Sequence, residues 1–194
     1  MASTKLQKTF SSAGNRKTFT FSVWIKRASV GSQAVILDSN YSGGANEHRL
    51  FIDASGFLEY YDYSGSAYQF RYKTNRFLRD INGWYHIVCS VDTTQSTAGD
   101  RVKIYINGVR ETSFSTSQNP SQNHDCILNN DQLHQIGTKN TGAAFFDGSM
   151  SHIHFVDGTA YQASTFGSTD STTGEWQINT SPSVTYGTNG FFIL

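Results

Sequence analysis

The sequence TFTFSVWIKR occupies residues 18–27, and GWYHIVCSVDTTQSTAGDRVKIYINGVR occupies residues 83–110. In both segments apolar and polar residues alternate, and in the first the apolar face carries Phe19, Phe21, Val23 and Ile25. A period of two indicates antiparallel strands with one buried face. Asn107-Gly108 lies between two such runs, and this dipeptide favours a tight hairpin turn. We therefore expect an antiparallel all-β fold.

Composition limits the kinds of partner. The 15 basic and 15 acidic residues of the 194-residue chain cancel, and no basic run is present. Nucleic-acid binding needs a basic stripe and is therefore disfavoured. The apolar runs are far shorter than the roughly 20 residues of a membrane span, so we expect no membrane insertion. The N-terminal segment has no apolar core, which predicts synthesis without a signal peptide.

Charged residues make up 15% of the chain, against roughly 25% in typical soluble domains. The surface is therefore expected to be mostly neutral and polar, which suits neutral ligands or other subunits. Cys89 and Cys126 are the only cysteines. Without a signal peptide we expect two unpaired buried thiols, and a disulfide is the alternative.

About a dozen short strands separated by turn residues predict a sandwich or barrel in a single domain, 1–194. The predicted strands are 4–10, 18–27, 33–38, 48–53, 57–63, 67–73, 84–92, 101–107, 109–115, 132–137, 146–157 and 190–194. The predicted turns are Ser42-Gly43-Gly44, Ser55-Gly56, Ser64-Gly65-Ser66 and Asn107-Gly108. Residues 161–166 suggest one helical turn. For the polar stretch 168–189 we expect Trp176 and Ile178 to be apolar anchors.

Four segments carry a family resemblance: TFTFSVWIKR at 18–27, GWYHIVCSVD at 83–92, RVKIYINGVR at 101–110 and FDGSMSHIHFVDG at 146–158. In this order they resemble the concanavalin A-like lectin/glucanase superfamily, in its laminin-G-like and pentraxin-like branch. The resemblance implies a jelly-roll sandwich.

Other motifs are similar to versions of this domain in virion proteins of tailed phages, especially marine ones. They are SSAGNRKT at 11–18, the segment from His154 to Trp176, and YGTNGF at 186–191. This likeness implies that the chain is part of a virion protein and belongs to a longer chain.

The spacing of Met150, Ile153 and Phe155 breaks the period of two once. A β-bulge between Met150 and Ile153 would keep all three side chains inward.

Glycosidase activity is not expected, although the superfamily includes glucanases. Retaining hydrolysis needs two carboxyl groups about 5–5.5 Å apart. On a strand this means two acidic residues at i and i+2, and no such pair occurs in the chain. Glu59 and Asp62, three apart, are expected on opposite faces. We therefore predict that the protein is not an enzyme.

Two sets of residues are candidate metal ligands. His152 and His154 share one strand face, as a zinc site on a sheet requires, with His86, His134 or Asp147 as a third ligand. The alternative is that both are ordinary polar surface positions. Calcium is the second candidate, because the resemblance implies loop oxygen ligands, here Asn123, Asp125, Asn129, Asn130 and Asp131. Such residues also form turns without any ion.

Aromatic residues crowd one predicted hairpin, at Tyr60, Tyr61, Tyr63, Tyr68, Phe70 and Tyr72. By alternation Tyr61 and Tyr63 lie opposite Tyr60, and Tyr68, Phe70 and Tyr72 share one face. Displayed tyrosines stack on sugar rings or become buried at subunit interfaces. The binding candidates are Tyr61, Tyr63, Tyr68 and Tyr72, and the alternative is that all of them pack within the sheets.

Two functions follow as hypotheses. The first is a non-enzymatic virion domain (fibre, spike or capsid decoration) that contacts host-surface glycans or neighbouring virion subunits and assembles in the host cytoplasm. The second is a free-standing lectin-like carbohydrate-binding module. We expect a homo-oligomer, with a trimer favoured, and we expect serine at positions 61 and 63 to weaken that assembly without disturbing the fold.

Overall fold

The computed structural model of the protein describes residues 4–41 and 46–194. The predicted turn Ser42-Gly43-Gly44 lies outside the described residues. The strands are β1 Leu6–Thr9, β2 Thr18–Arg27, β3 Ala34–Tyr41, β4 Asn46–Ile52, β5 Phe57–Ser64, β6 Ala67–Phe77, β7 Tyr85–Asp92, β8 Val102–Ile106, β9 Val109–Arg110, β10 Phe114–Gln118, β11 Leu133–Ile136, β12 Gly148–Asp157, β13 Gly167–Thr169, β14 Trp176–Ile178 and β15 Phe191–Ile193.

The strands form two large sheets and one small hairpin. The seven-stranded sheet has the order β1-β11-β3-β4-β5-β6-β10, and the six-stranded sheet has the order β15-β12-β2-β7-β8-β9. The pairings between the described strands are antiparallel, including the distant pairs β2–β12 and β3–β11. This architecture confirms the predicted jelly-roll sandwich.

Strand β2 supplies the centre of the core between the sheets. Phe19, Phe21, Val23 and Ile25 are all fully buried, as their alternation predicts. They belong to the same buried cluster as Leu50, Ile52 and Leu58 of the facing sheet. Burying each such side chain stabilises the fold by roughly 1.5–3 kcal/mol.

The outer face of the six-stranded sheet is also covered, which the alternation did not predict. Thr20, Ser22 and His86 are fully buried there. Val88, Tyr105 and Val156 form a second apolar cluster with residues that follow β12, namely Tyr161, Ala163, Phe166, Trp176, Val184 and Tyr186. The polar stretch 168–189 is therefore a cover, held to the sheet by a few apolar anchors.

The predicted strand 109–115 is wrong as a single element. Val109–Arg110 stays in the six-stranded sheet, and Phe114–Gln118 pairs with β6 in the other sheet. The chain crosses between sheets at Glu111, a buried carboxylate that forms an ion pair with Arg76 (2.6 Å). Alternation along one segment does not reveal such a change of sheet.

The predicted helical turn at 161–166 is a single 3-10 turn, Ala163–Thr165. Within the described residues, no helix is both long enough and apolar enough to span a membrane.

The β-bulge predicted in β12 is confirmed. Ser151 pairs with Trp24 and His154 with Ser22, so two residues of β12 oppose one of β2. His152 is the extra residue, with φ +47°. Ile153 and Phe155 consequently remain buried in the core, and Met150 packs against it.

Both cysteines are buried and unpaired in the described structure, as predicted. Burial raises the pKa of the Cys89 and Cys126 thiols, which keeps both protonated at neutral pH.

Candidate functional site

The aromatic hairpin divides its rings between core and surface. Tyr60, Phe70 and Tyr72 lie in the main core, whereas Tyr61, Tyr63 and Tyr68 lie on the outer face. The prediction that Tyr68 shares a face with Phe70 is wrong, because a bulge inserts Gln69 between them. The register shifts there from the pair Asp62–Phe70 to the pair Tyr63–Tyr68.

Of the four tyrosines predicted to bind, Tyr61 and Tyr72 are buried, and Tyr63 and Tyr68 are half-buried. The Tyr72 hydroxyl donates to Asn119 Oδ1 (2.5 Å). Tyr61 donates to Glu47 and accepts from Arg49 Nη1 (2.7 Å), and Arg49 also pairs with Asp38 (2.7 Å). Serine at position 61 would remove the hydroxyl that joins Glu47 and Arg49, so we now expect the Tyr61 substitution to destabilise the fold as well.

The predicted calcium loop is held by internal hydrogen bonds. Asp157, at the end of β12, accepts from Asn15 N, Asn129 Nδ2 and Asn189 N (2.7, 2.7 and 3.2 Å). The Asn129 amide oxygen accepts from Asn189 Nδ2 (2.9 Å). The carboxylate thus faces N–H donors, which join the loop to the SSAGNRKT and YGTNGF segments.

The other loop candidates have separate positions. Asn123 adopts a turn conformation with φ +62°, and its backbone N–H donates to Thr93 O (2.8 Å). The Asp125 carbonyl accepts from Arg16 Nη2 (3.2 Å), and Asp131 is exposed. These positions are those of turn-forming residues, and calcium binding at this loop remains a prediction.

His152 and His154 both lie beside Phe192, with ring centroids 5.8 and 4.5 Å from it. His154 Nδ1 pairs with the Tyr186 hydroxyl (2.8 Å), and burial lowers the pKa of His154 to about 4. In the described chain neither histidine belongs to a group of three or more His, Cys, Asp or Glu with metal-binding spacing. Among the described residues, no His, Cys, Asp or Glu is therefore positioned as the third ligand that a zinc site at His152 and His154 needs.

One buried cluster with metal-type ligands was not predicted. Donor atoms of His48, Asp62 and Cys126 lie within 4.8 Å of one another, and all three residues are fully buried. Asp62 bonds His48 Nδ1 (2.7 Å), His124 Nε2 (2.8 Å) and Ile127 N (2.8 Å), and His48 Nε2 bonds the Tyr60 hydroxyl (2.7 Å).

This cluster fastens a loop to a sheet. Its carboxylate already has three hydrogen-bond donors, and its thiol is protonated, so a metal would have to displace existing bonds. Burial alone would raise the pKa of Asp62, but bonds from His124, His48 and Ile127 N–H outweigh it and hold that pKa below its usual value. Glu59, by contrast, lies on the outer face and pairs with Arg71, as the predicted opposite orientation requires.

The strongest candidate site is a groove that contains all three tryptophans of the chain. It lies on the outer side of the six-stranded sheet and has a volume of about 440 Å³. Its walls are Trp24, Trp84, Ser151, His152, Trp176, Gln177 and Ile178. We call this the tryptophan groove.

Different elements bring the three indoles together. Trp24 is on the outer face of β2, Trp176 is on β14 of the small hairpin, and Trp84 directly precedes β7 and is 41% exposed. The sequence carried one signal for this site: Trp24 occupies a position among polar residues on its strand face. Nothing in the sequence places Trp176 beside it.

His86 connects two of the indoles. The Trp24 and His86 rings are nearly parallel, with centroids 4.8 Å apart. Trp176 Nε1 donates to His86 Nδ1 (2.9 Å), and His86 Nε2 pairs with Ser22 Oγ (2.9 Å). Burial lowers the pKa of His86 to about 3, with the nearby His154 as a lesser cause. The ring is therefore neutral, and its Nε2–H donates to Ser22.

Gly108, in the predicted Asn-Gly turn, lies directly against Trp176. Asn107 and Gly108 both have positive φ, +48° and +79°, as a tight hairpin turn requires. A Cβ atom at position 108 would lie 2.4 Å from two Trp176 ring carbons. Gly108 is thus required twice, for the positive φ of the turn and for the close packing of Trp176 against the backbone.

We expect Gly108→Ala to destabilise the fold by about 1–3 kcal/mol and to displace Trp176, because it adds a clash to backbone strain. Urea unfolding and tryptophan fluorescence measure the two effects. Gly31→Ala is the matched control, since Gly31 has φ +87° and open space around its Cβ position. If both variants lose the same free energy of unfolding and keep the emission maximum of the unmodified protein, the packing role of Gly108 is contradicted.

The comparisons with known proteins agree with this architecture. A family model, Laminin_G_3, described as the concanavalin A-like lectin/glucanases superfamily, matches residues 3–164. The chain belongs to this family. The match confirms the superfamily that the sequence motifs resemble, and no curated protein sequence matches the chain.

Solved structures show the same fold at low sequence identity. A heptameric SAP-like pentraxin from Limulus polyphemus is 15% identical with a TM-score of 0.59, covering 97% of this chain and 87% of the pentraxin chain. The CBM40 of the Ruminococcus gnavus IT-sialidase bound to α2,6 sialyllactose is 15% identical with a TM-score of 0.51, covering 75% and 89%. Mouse laminin α1 domains LG4-5 are 12% identical with a TM-score of 0.54, covering 97% and 43%.

Proposed function

We propose that this chain is a non-enzymatic carbohydrate-binding domain and that the tryptophan groove holds the sugar. The observation that carries the proposal is the convergence of all three tryptophans on one open groove. Indole rings offer flat apolar faces to the C–H faces of sugar rings. Ser151, His152 and Gln177 in the same walls provide hydrogen-bonding groups for sugar hydroxyls.

The composition of the groove supports binding without hydrolysis. Among the described residues, none that lines the groove is acidic, whereas retaining hydrolysis needs two carboxyl groups about 5–5.5 Å apart. The absence of charge in these walls also favours a neutral glycan. A carbohydrate as ligand class is further supported by the CBM40 of the same fold, whose structure contains sialyllactose.

We further propose that the domain is part of a phage particle, as an adhesion domain of a fibre, spike or capsid decoration protein that binds host-surface glycans or neighbouring subunits. The support for this placement is the motif likeness across residues 11–191 and the low fraction of charged residues, 15% of the chain. We propose assembly as a homo-oligomer, with a trimer favoured. Tyr63 and Tyr68, half-buried on the outer face of the seven-stranded sheet, are the hairpin tyrosines available for subunit contact.

We expect Trp84→Ala to weaken glycan binding at least tenfold while leaving the unfolding temperature within a few degrees, because this indole is already partly exposed. A glycan array identifies the ligand, with and without calcium, and calorimetry measures the affinity. Phe77→Ala is the matched control, since Phe77 is 43% exposed but lies on the other sheet.

Unchanged affinity in the Trp84 variant, with loss in a Tyr63/Tyr68 double variant, would move the site to the seven-stranded sheet. Sedimentation of the same sample at micromolar concentration tests the trimer. A monomer that binds glycans would instead favour the alternative function, a free-standing lectin-like module.

A further inference from the structure

A second cleft opens between the edges of the two sheets, away from the tryptophan groove. It has a volume of about 290 Å³. Strands β1 and β11 form the wall on one side, and β12 and β15 form the wall on the other. The cleft shares no lining residue with the tryptophan groove.

The inner walls of this cleft are apolar. Phe10, Leu37, Leu128 and Phe155 line it and are also members of the main core. His134 is the one lining imidazole, and both of its ring nitrogens are already bonded, Nδ1 to Gln132 O (2.8 Å) and Nε2 to Asn129 N (3.0 Å). The interior therefore offers a ligand dispersion contacts, and the His134 imidazole has no ring nitrogen free to bond it.

The mouth of the cleft carries a positive charge. Lys8, on the edge strand β1, lines the cleft and is exposed, and its Nζ lies 5.9 Å from the centroid of the Phe10 ring. Within the described residues no carboxylate forms an ion pair with Lys8. Leu6, on the same face of β1, extends the apolar wall outward and is 45% exposed.

We propose that this cleft binds a medium-chain fatty carboxylate, with the alkyl chain between the sheets and the carboxylate beside Lys8. An apolar interior with one cation at its mouth is complementary to that class of molecule. The volume corresponds to about ten water-sized groups at about 30 Å³ each, which sets the expected chain length near ten carbons.

A chain-length series tests the proposal. Hexanoate, octanoate, decanoate and dodecanoate are titrated below their micelle concentrations, with binding followed by methyl NMR of Leu37 and Leu128. We expect affinity to rise about fourfold for each added methylene and to level off near decanoate. The proposal is overturned if the methyl resonances of Leu37 and Leu128 do not shift on titration, or if the affinity does not change with chain length.

Variants separate the two parts of the site. Lys8→Glu should weaken the binding of decanoate at least fivefold and leave the affinity for decan-1-ol unchanged, since only the carboxylate needs the cation. Leu128→Trp should fill the cleft and abolish the binding of both decanoate and decan-1-ol. Should that variant fail to fold, the Lys8 comparison still decides, and equal decanoate affinity in Lys8→Glu contradicts the assignment.

Two further measurements distinguish the cleft from the tryptophan groove and from a membrane-binding surface. Trp84→Ala, in the tryptophan groove, should bind decanoate like the unmodified protein, so failure of the glycan proposal would leave this one intact. Co-sedimentation with phosphatidylcholine vesicles, without binding of free decanoate, would show a membrane-facing surface and overturn the proposal.

Discussion

Replacing Asp62 by alanine is expected to lower the free energy of unfolding by about 3–5 kcal/mol, the largest effect of any single substitution considered. Asp62 is fully buried, and its carboxylate accepts hydrogen bonds from two histidines and one backbone N–H. Removing one partner from a buried charged network leaves the others desolvated and unpaired, and such losses are of about this size.

Urea unfolding at pH 7 measures this effect, with Asp62→Asn and Asp100→Ala as comparisons. Asparagine keeps the shape of the side chain and part of its hydrogen bonding, so Asp62→Asn should lower the free energy of unfolding by an intermediate amount. Asp100 also pairs with basic side chains, but it is 39% exposed, and such surface pairs contribute about 0–1 kcal/mol. A loss for Asp62→Ala no larger than that for Asp100→Ala would contradict the role of the buried cluster.

The same variant should also release the loop that Asp62 holds. Ile127 and His124 both belong to the connection between β10 and β11. Hydrogen exchange should therefore rise first in this connection. Uniformly increased exchange would instead indicate that the loop and the sheet unfold together.

Acidification is expected to destabilise the protein between about pH 6.5 and pH 4. Burial lowers the pKa of His86 to about 3 and those of His134 and His154 to about 4, against about 6.5 in an unfolded chain. In this range the unfolded chain binds more protons than the folded protein, so stability falls as the pH falls. Three such groups give a slope of at most about 4 kcal/mol per pH unit.

His154→Phe isolates one contribution. The ring of His154 packs on Phe192 and Phe166, at 4.5 and 5.1 Å between centroids, so phenylalanine suits the site apart from the lost bond to Tyr186. We expect the pH dependence of stability between pH 6 and 5 to weaken by at most about 1.4 kcal/mol per pH unit in this variant. Parallel curves for variant and unmodified protein, from urea unfolding at each pH, would contradict the expectation.

Local pattern was sufficient for most strands and for the fold class. Alternation places Phe19, Phe21, Val23 and Ile25 on one face because successive side chains of a strand point to opposite sides, whatever the strand pairs with. The Asn107-Gly108 turn and the β12 bulge follow for the same reason, since positive φ and a broken period are properties of a few adjacent residues.

Tertiary structure alone decided the sites. Alternation says which residues share a face but not what covers that face, so burial of the outer side by the 168–189 stretch was missed. The bulge at Gln69 turned Tyr68 to the other face because one extra residue reverses a strand with a period of two. Trp24, Trp84 and Trp176 meet, and so do His48, Asp62 and Cys126, because antiparallel pairing and sheet packing join residues far apart in the chain.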